Sequence, residues 1–99
     1  MITKKPALRG KSVKVTFSLP VEEGAVSVAG DFNDWDPSAT PMRKRGDSRS
    51  ASVSLDAGRC YSFRYVDKDG RWFNDGLADG FEGNEFGESN CIIDLTDNL

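Results

Sequence analysis

Apolar and polar residues alternate along much of this chain, and the alternation predicts β-strands. The clearest case is segment 12–19, where four apolar residues are each preceded by a polar one and Pro20 follows. Further strands are predicted at 26–28, 53–55, 61–66, 71–73 and 91–95. Because successive side chains of a strand point to opposite faces, each strand is expected to bury one face and expose the other.

The predicted elements define the fold class. No window shows the apolar spacing of an amphipathic helix, and turn signals recur about every 8 to 12 residues. The pattern predicts an all-β protein, an antiparallel β-sandwich of six to eight short strands. We expect a flexible tail over residues 1–10 and a single domain over residues 11–99. Segment 36–49 is expected to be a solvated connection, and segment 74–90 a long glycine-rich loop, a type that is often functional.

Composition limits the chemistry that this chain can perform. Its 99 residues are enough for one domain and too few for a catalytic barrel. The absence of histidine excludes Ser-His-Asp and Cys-His catalysis. The net charge of −3 argues against nucleic acid or an anionic membrane surface as partners. With no membrane-spanning stretch and no secretion signal, we expect a cytoplasmic protein without metal or cofactor.

Two further features have simple structural interpretations. Cys60 and Cys91 are too few for a disulfide scaffold and lack the close spacing of a zinc site. We expect each to be a small buried hydrophobe near the start of a strand, and a disulfide between them is the alternative. The segment 67–70, Asp-Lys-Asp-Gly, begins like a calcium loop, but Arg71 follows where an acidic ligand is needed. The segment therefore predicts a hairpin turn.

The most informative segment is 30–35, Gly-Asp-Phe-Asn-Asp-Trp, which follows a predicted strand. Asn and Asp favour turns because their side chains bond to nearby backbone, so the segment predicts a structured corner. Phe32 is expected to fill the core. Trp35 either packs at the end of the sandwich or presents a binding surface, because large aromatic side chains serve both purposes.

Six motifs occur in order and together resemble a known family. They are 30–35, Pro41-Met42, 58–65, Asp69-Gly70-Arg71-Trp72, 84–87 and 90–93. From about residue 11 to about residue 96, the chain resembles the isoamylase N-terminal early-set domain, also called carbohydrate-binding module family 48. That domain accompanies glycogen branching and debranching enzymes, and the glycogen-binding domain of AMP-activated kinase β subunits is similar. The resemblance implies an immunoglobulin-like β-sandwich that binds α-1,4-glucans.

The resemblance also implies roles for individual residues. Trp35 and Trp72 match the two tryptophans that stack on glucose rings in glycogen-binding members. Arg64 and Asn90 match residues that hydrogen-bond to sugar hydroxyls. Phe86 matches a bulky apolar residue of the loop that clasps the glucan.

Two positions depart from the family pattern. Glu88 stands where glycogen-binding members have a hydroxyl side chain, so an acceptor is kept, a donor is lost and a charge is added. Arg49 stands where the family usually has an aromatic residue, which removes either packing or a contact. The sequence leaves two alternatives for these departures, a weaker sugar site or a reshaped one.

The chemistry of a glucose ring agrees with these residue types. Aromatic rings cover its apolar C–H face, and amide, carboxylate and guanidinium groups bond to its hydroxyl rim. Arg64 alternates with apolar neighbours and is expected to face outward. For Trp72, ordinary cross-strand packing is the alternative. The acidic residues of segment 74–90 are expected to form a solvated rim, because a surface loop lacks the cleft that a glycosidase pair needs.

We therefore expect a non-catalytic module that binds an α-glucan polysaccharide or oligosaccharide. A first alternative is an interaction module that keeps the fold but holds a protein partner, such as a glycogen-metabolising enzyme, with little or no sugar binding. A second alternative is a glycosidase or branching enzyme, which the chain length opposes because no catalytic barrel is present.

Overall fold

The computed structural model describes residues 2–6, 11–20, 24–84 and 87–96. Within these ranges it contains nine β-strands, one 3₁₀ turn at Asp31–Asn33 and no α-helix. The strands are β1 Ile2–Pro6, β2 Ser12–Pro20, β3 Val26–Gly30, β4 Arg43–Arg45, β5 Ser48–Asp56, β6 Cys60–Asp67, β7 Trp72–Phe73, β8 Gly80–Gly83 and β9 Ser89–Asp94. The prediction of six to eight strands was therefore too low.

The strands form two antiparallel sheets that pack face to face. Sheet A has the order β1-β2-β5-β4, and sheet B has the order β3-β6-β9-β8. Strand β7 pairs with the last part of β6 and belongs to sheet B. The predicted class, an all-β antiparallel sandwich of the immunoglobulin-like type, is confirmed.

The core lies between the sheets and is built by the alternation seen in the sequence. Phe17 of β2 is fully buried, and its ring centroid lies 4.9 Å from that of Phe63 and 6.4 Å from that of Tyr65, both on β6. Phe32 packs against this cluster at 5.9 Å from Phe17, as predicted. Each of these rings removes enough apolar surface from water to contribute about 1.5–3 kcal/mol.

Strand β6 separates the core from the outer face of sheet B. Phe63 and Tyr65 point inward, whereas Ser62, Arg64 and Val66 alternate with them and point outward. The strand pairs with β3 along one edge and with β9 and then β7 along the other. Its outward side chains are therefore surrounded by residues of three neighbouring strands.

Residues Ile2–Pro6 form β1, although the sequence assigned them to a flexible tail; residues 7–10 of that tail lie outside the described ranges. The strand pairs with β2 from Ile2↔Phe17 to Pro6↔Val13. Lys4 Nζ reaches the other sheet, 2.5 Å from Asp79 Oδ2 and 3.0 Å from the Asp94 carbonyl oxygen. The two partners of Lys4 lie 75 and 90 positions away in the chain, so the alternation within the segment could not indicate them.

Both segments predicted to be irregular contain strands, which is a correction. Segment 36–49 includes β4 and the start of β5, and segment 74–90 includes β8. Strands β4 and β8 lie at sheet edges and are largely exposed, so neither has a buried apolar face that would produce alternation.

The cysteine prediction holds for only one of the two residues. Both thiols are free, and Cys91 is fully buried as expected. Cys60 is exposed, because it points outward at the first position of β6, whereas Ser62 and Val66 further along the same face are covered by neighbouring residues.

Candidate functional site

The outer face of sheet B carries an open groove of about 900 Å³. Five of the six site residues predicted from sequence line it: Trp35, Arg64, Trp72, Glu88 and Asn90. The sixth, Phe86, lies outside the described residues. Four further lining residues were not predicted: Asp31, Ser62, Glu82 and Asn84. Side chains separated by up to 59 positions in the chain thus meet in one groove.

The corner that carries Trp35 is held by the side chain of Asn33. Its Oδ1 accepts the Gly30 N–H at 3.0 Å, and its Nδ2 donates to the Val28 carbonyl oxygen and to Thr40 Oγ1, each at 2.9 Å. Gly30 is required here because a Cβ at this position would lie 2.5 Å from the Ser62 carbonyl oxygen. The predicted structured corner therefore depends on a close backbone approach and on one amide side chain.

Asp31 connects this corner to the floor of the groove. Strand β3 ends opposite Phe63, and the Asp31 carboxylate next accepts the backbone N–H of Ser62 at 2.8 Å. Its other oxygen accepts the indole N–H of Trp35 at 3.1 Å. One carboxylate therefore satisfies a strand donor and sets the direction of the indole ring.

The two tryptophans lie side by side in the groove. Asp34 and Trp35 adopt left-handed backbone conformations, with φ of 57° and 58°. The backbone N–H of Trp35 donates to the Gly30 carbonyl oxygen at 3.0 Å. This conformation costs a tryptophan about 1–2 kcal/mol, which the surrounding contacts must offset. The Trp35 and Trp72 ring centroids are 6.4 Å apart at an interplanar angle of 38°. Trp72 is 39% exposed, so part of its surface remains free for a ligand.

Arg64 is held in a fixed position between the tryptophans and the 84–90 region. Its guanidinium donates to Asn74 Oδ1 at 2.9 Å, to Glu88 Oε2 at 2.6 Å and to the Trp72 carbonyl oxygen at 3.4 Å. The Arg64 side chain is only 12% exposed, whereas that of Glu88 is 55% exposed. Glu88 therefore fixes the guanidinium from the solvent side of the groove.

Hydrogen bonds also order the remaining polar lining. Asn84 Nδ2 donates to Asn90 Oδ1 at 3.1 Å, and Asn84 Oδ1 accepts the Glu88 N–H at 3.1 Å. On the floor, the buried Ser62 hydroxyl donates to a Glu82 carboxylate oxygen. The two-residue spacing from Arg64 could have indicated Ser62. Glu82 and Asn84 could not be found, because β8 was not predicted.

The charges of the groove favour a ligand without negative charge. Among the described lining residues, three carry carboxylates, Asp31, Glu82 and Glu88, and one, Arg64, carries a guanidinium. Two indole rings supply the apolar surface, and amide, hydroxyl and carboxylate groups supply donors and acceptors. An aromatic surface with a few polar groups at its edge is typical of a small-molecule or sugar site.

Asp75 differs from the predicted solvated rim because it is buried behind the groove. Its Oδ2 accepts the Tyr65 hydroxyl at 2.7 Å, and its Oδ1 accepts the Leu77 N–H at 2.8 Å. Burial raises the pKa of the Asp75 carboxyl, the bonds from Leu77 and Tyr65 are among the interactions that lower it, and the net pKa is lowered. Burial and the bond to Asp75 raise the pKa of Tyr65 above its usual value. The pair is a structural support of β6.

Arg49 does not line the groove. It lies on β5 opposite Leu19 of β2, in the alternation that places Leu55 toward the core. Its Nε is buried and has no hydrogen-bond partner among the described residues. The departure from the family pattern at this position therefore affects the edge of the core and leaves the groove lining unchanged.

Comparison with known proteins identifies a relative that matches part of this chain. The chain matches no protein-family model. It is 48% identical over 48 residues to the 1,4-alpha-glucan branching enzyme GlgB of Novosphingobium aromaticivorans. The match covers 46% of this chain and 7% of that enzyme, so the chain corresponds to a small part of its relative.

The described residues contain neither a candidate membrane-spanning helix nor a candidate metal cluster. That part of the chain has no helix long and apolar enough to cross a membrane. It also has no group of three or more Cys, Asp or Glu side chains arranged to hold a metal ion.

Proposed function

We propose that this protein is a non-catalytic α-glucan-binding module and that the groove on sheet B is its binding site. The observation that carries the proposal is the pair of tryptophans, Trp35 and Trp72, held side by side in a groove with a polar edge. The partial sequence match to a 1,4-alpha-glucan branching enzyme supports the same class of ligand.

The tryptophans bury the apolar faces of the sugar rings. Covering about 100 Å² of apolar surface contributes about 2.5 kcal/mol, before the cost of immobilising the ligand. Because the groove is open and small, we expect dissociation constants from micromolar to millimolar, about −8 to −4 kcal/mol. Several copies acting on one polysaccharide would bind more tightly than a single copy.

The polar residues select the hydroxyl rim. Asn90 presents an amide at the groove, and Arg64 presents a guanidinium that Glu88 and Asn74 already hold in place. A fixed guanidinium needs less ordering when a sugar binds, which favours affinity. We propose for Phe86 the role that the family resemblance implies, an apolar contact from the loop that closes over the glucan.

Affinity gel electrophoresis in glycogen or amylopectin tests this function. We expect retarded migration of the wild-type protein and loss of retardation in Trp35→Ala and Trp72→Ala. Phe81→Ala is the matched control, because Phe81 is also an exposed aromatic, 52% exposed, but does not line the groove. Unchanged wild-type migration at high polysaccharide concentration would contradict the proposal.

The alternative of a protein-interaction module has a specific observation in its favour. Leu77 and Phe81 are large apolar side chains, 75% and 52% exposed, and Phe81 lies on the edge strand β8. Exposed apolar surface beside an unpaired strand edge suits a protein partner such as a glycogen-metabolising enzyme. This function is favoured if glycogen leaves migration unchanged while Leu77→Ser and Phe81→Ser abolish co-migration with a purified branching enzyme.

A further inference from the structure

A second, smaller groove of about 420 Å³ adjoins the first on the outer face of sheet B. Trp72 lines both grooves, whereas Trp35 lines only the first. Arg64 lies in the first groove and Val66 in the second, and both point outward from β6. Two residues along a strand span about 7 Å, so the second groove continues directly from the first.

The floor of this second groove is one row of cross-strand neighbours. Val66 pairs with Ser27 of β3 on one side and with Trp72 of β7 on the other. Ser27 is bridged in turn to Pro41. The row therefore has an indole ring at one end and a proline ring at the other, with an apolar side chain and a hydroxyl between them.

The polar edge of the second groove suits a neutral hydroxylated chain. Among the described residues that line it, Asp67 and Lys68 are the charged ones. One Asp67 oxygen already accepts the Asp69 and Arg71 N–H groups of the hairpin, each at 2.9 Å. The Ser27 hydroxyl and the Lys68 ammonium are donors in this groove, and Trp72 supplies an aromatic surface, as it does in the first groove.

We propose that the second groove is a further subsite for the same glucan, which passes from the first groove over Trp72 into the second. This inference depends on the proposed function of the first groove. Trp72 contacts sugar units in both grooves, so it determines how strongly affinity depends on chain length. Trp35 contributes only to the first subsite and affects short and long chains equally.

Isothermal titration with maltotriose and maltoheptaose tests the continuity. We expect wild-type protein to bind the longer chain about tenfold more tightly, the factor supplied by burying about 55 Å² of additional apolar surface. Ser27→Gln occupies the floor of the second groove and removes this factor, while maltotriose binding is unchanged. Ser54→Gln is the matched control, since Ser54 is exposed on β5 of the other sheet.

The tryptophan variants give an independent measurement. Trp35→Ala should weaken both ligands by the same factor, whereas Trp72→Ala should also abolish the preference for the longer chain. Lys68→Ala, in an exposed turn, should reduce the preference without affecting folding. The inference is overturned if the length preference survives in Ser27→Gln and in Trp72→Ala while maltotriose still binds wild-type protein. If wild-type protein binds neither ligand, the proposed function itself fails, and this inference fails with it.

Discussion

The corner that presents Trp35 makes a quantitative prediction about stability. Replacing Asn33 by Ala removes three hydrogen bonds, to Gly30 N, Val28 O and Thr40 Oγ1. Each is worth about 1 kcal/mol, and the buried Gly30 N–H is left without its acceptor. Because Asn33 is half-buried and water can replace part of the loss, we expect a decrease of about 2–3 kcal/mol in the free energy of unfolding.

Urea unfolding monitored by circular dichroism measures this loss. The midpoint should fall while the slope of the transition stays constant, and the melting temperature should drop by about 10 °C or more. Thr40→Ala is the graded control, because it removes one of the three bonds and should cost about 1 kcal/mol. If Asn33→Ala stays within about 0.5 kcal/mol of wild type, the side chain does not hold the corner and our account of this site is wrong.

Three more predictions concern other parts of the structure, and the first compares two glycine variants. Gly30→Ala should destabilise the fold by about 3 kcal/mol or more, because its Cβ would lie 2.5 Å from a backbone oxygen. Gly83→Ala should be tolerated, because the space around Gly83 is open. Equal melting temperatures of the two variants would contradict this prediction. Tyr65→Phe should cost about 1–2 kcal/mol near neutral pH by removing the bond to Asp75. The folded-state pKa of Tyr65 lies above the ordinary value of 10.0. The stabilisation that the neutral Tyr65 hydroxyl provides is therefore complete below pH 10.0 and is lost as the pH rises further. Above pH 10.0 the free energy of unfolding should decline less with pH in Tyr65→Phe than in the wild-type protein. Glu88→Gln should change stability by less than about 1 kcal/mol and strengthen retardation by glycogen, because the amide keeps an acceptor for Arg64 and adds a donor for the sugar. Weaker retardation would contradict this and show that the carboxylate is required, either by the sugar or by the ion pair with Arg64.

The sequence determined the strands that have one buried face. Alternation predicted β2, β6 and β9, because a strand between the core and solvent must place apolar residues at every second position. It also determined the corner before Trp35, since the Asn33 side chain bonds to backbone three and five residues away. Such local effects can be inferred without knowing what lies across the sheet.

Only the tertiary structure decided the edges of the sheets. Strands β1, β4 and β8 each pair with the next strand in the chain, but they lie at sheet edges and are largely exposed, so their own residues carry little alternation. The exposure of Cys60 and the burial of Asp75 likewise depend on which neighbours cover each position. A sequence pattern shows that two faces differ, but packing determines which groups each face meets.

The candidate site divides in the same way. Trp35, Arg64 and Trp72 could be named from the sequence because the family resemblance carries them. Glu82 and Asn84 could be assigned to the groove only from the structure, which places β8 beside β9. The lining of a groove is a property of strand order, and strand order is set by long-range pairing and burial, which no local pattern of residues specifies.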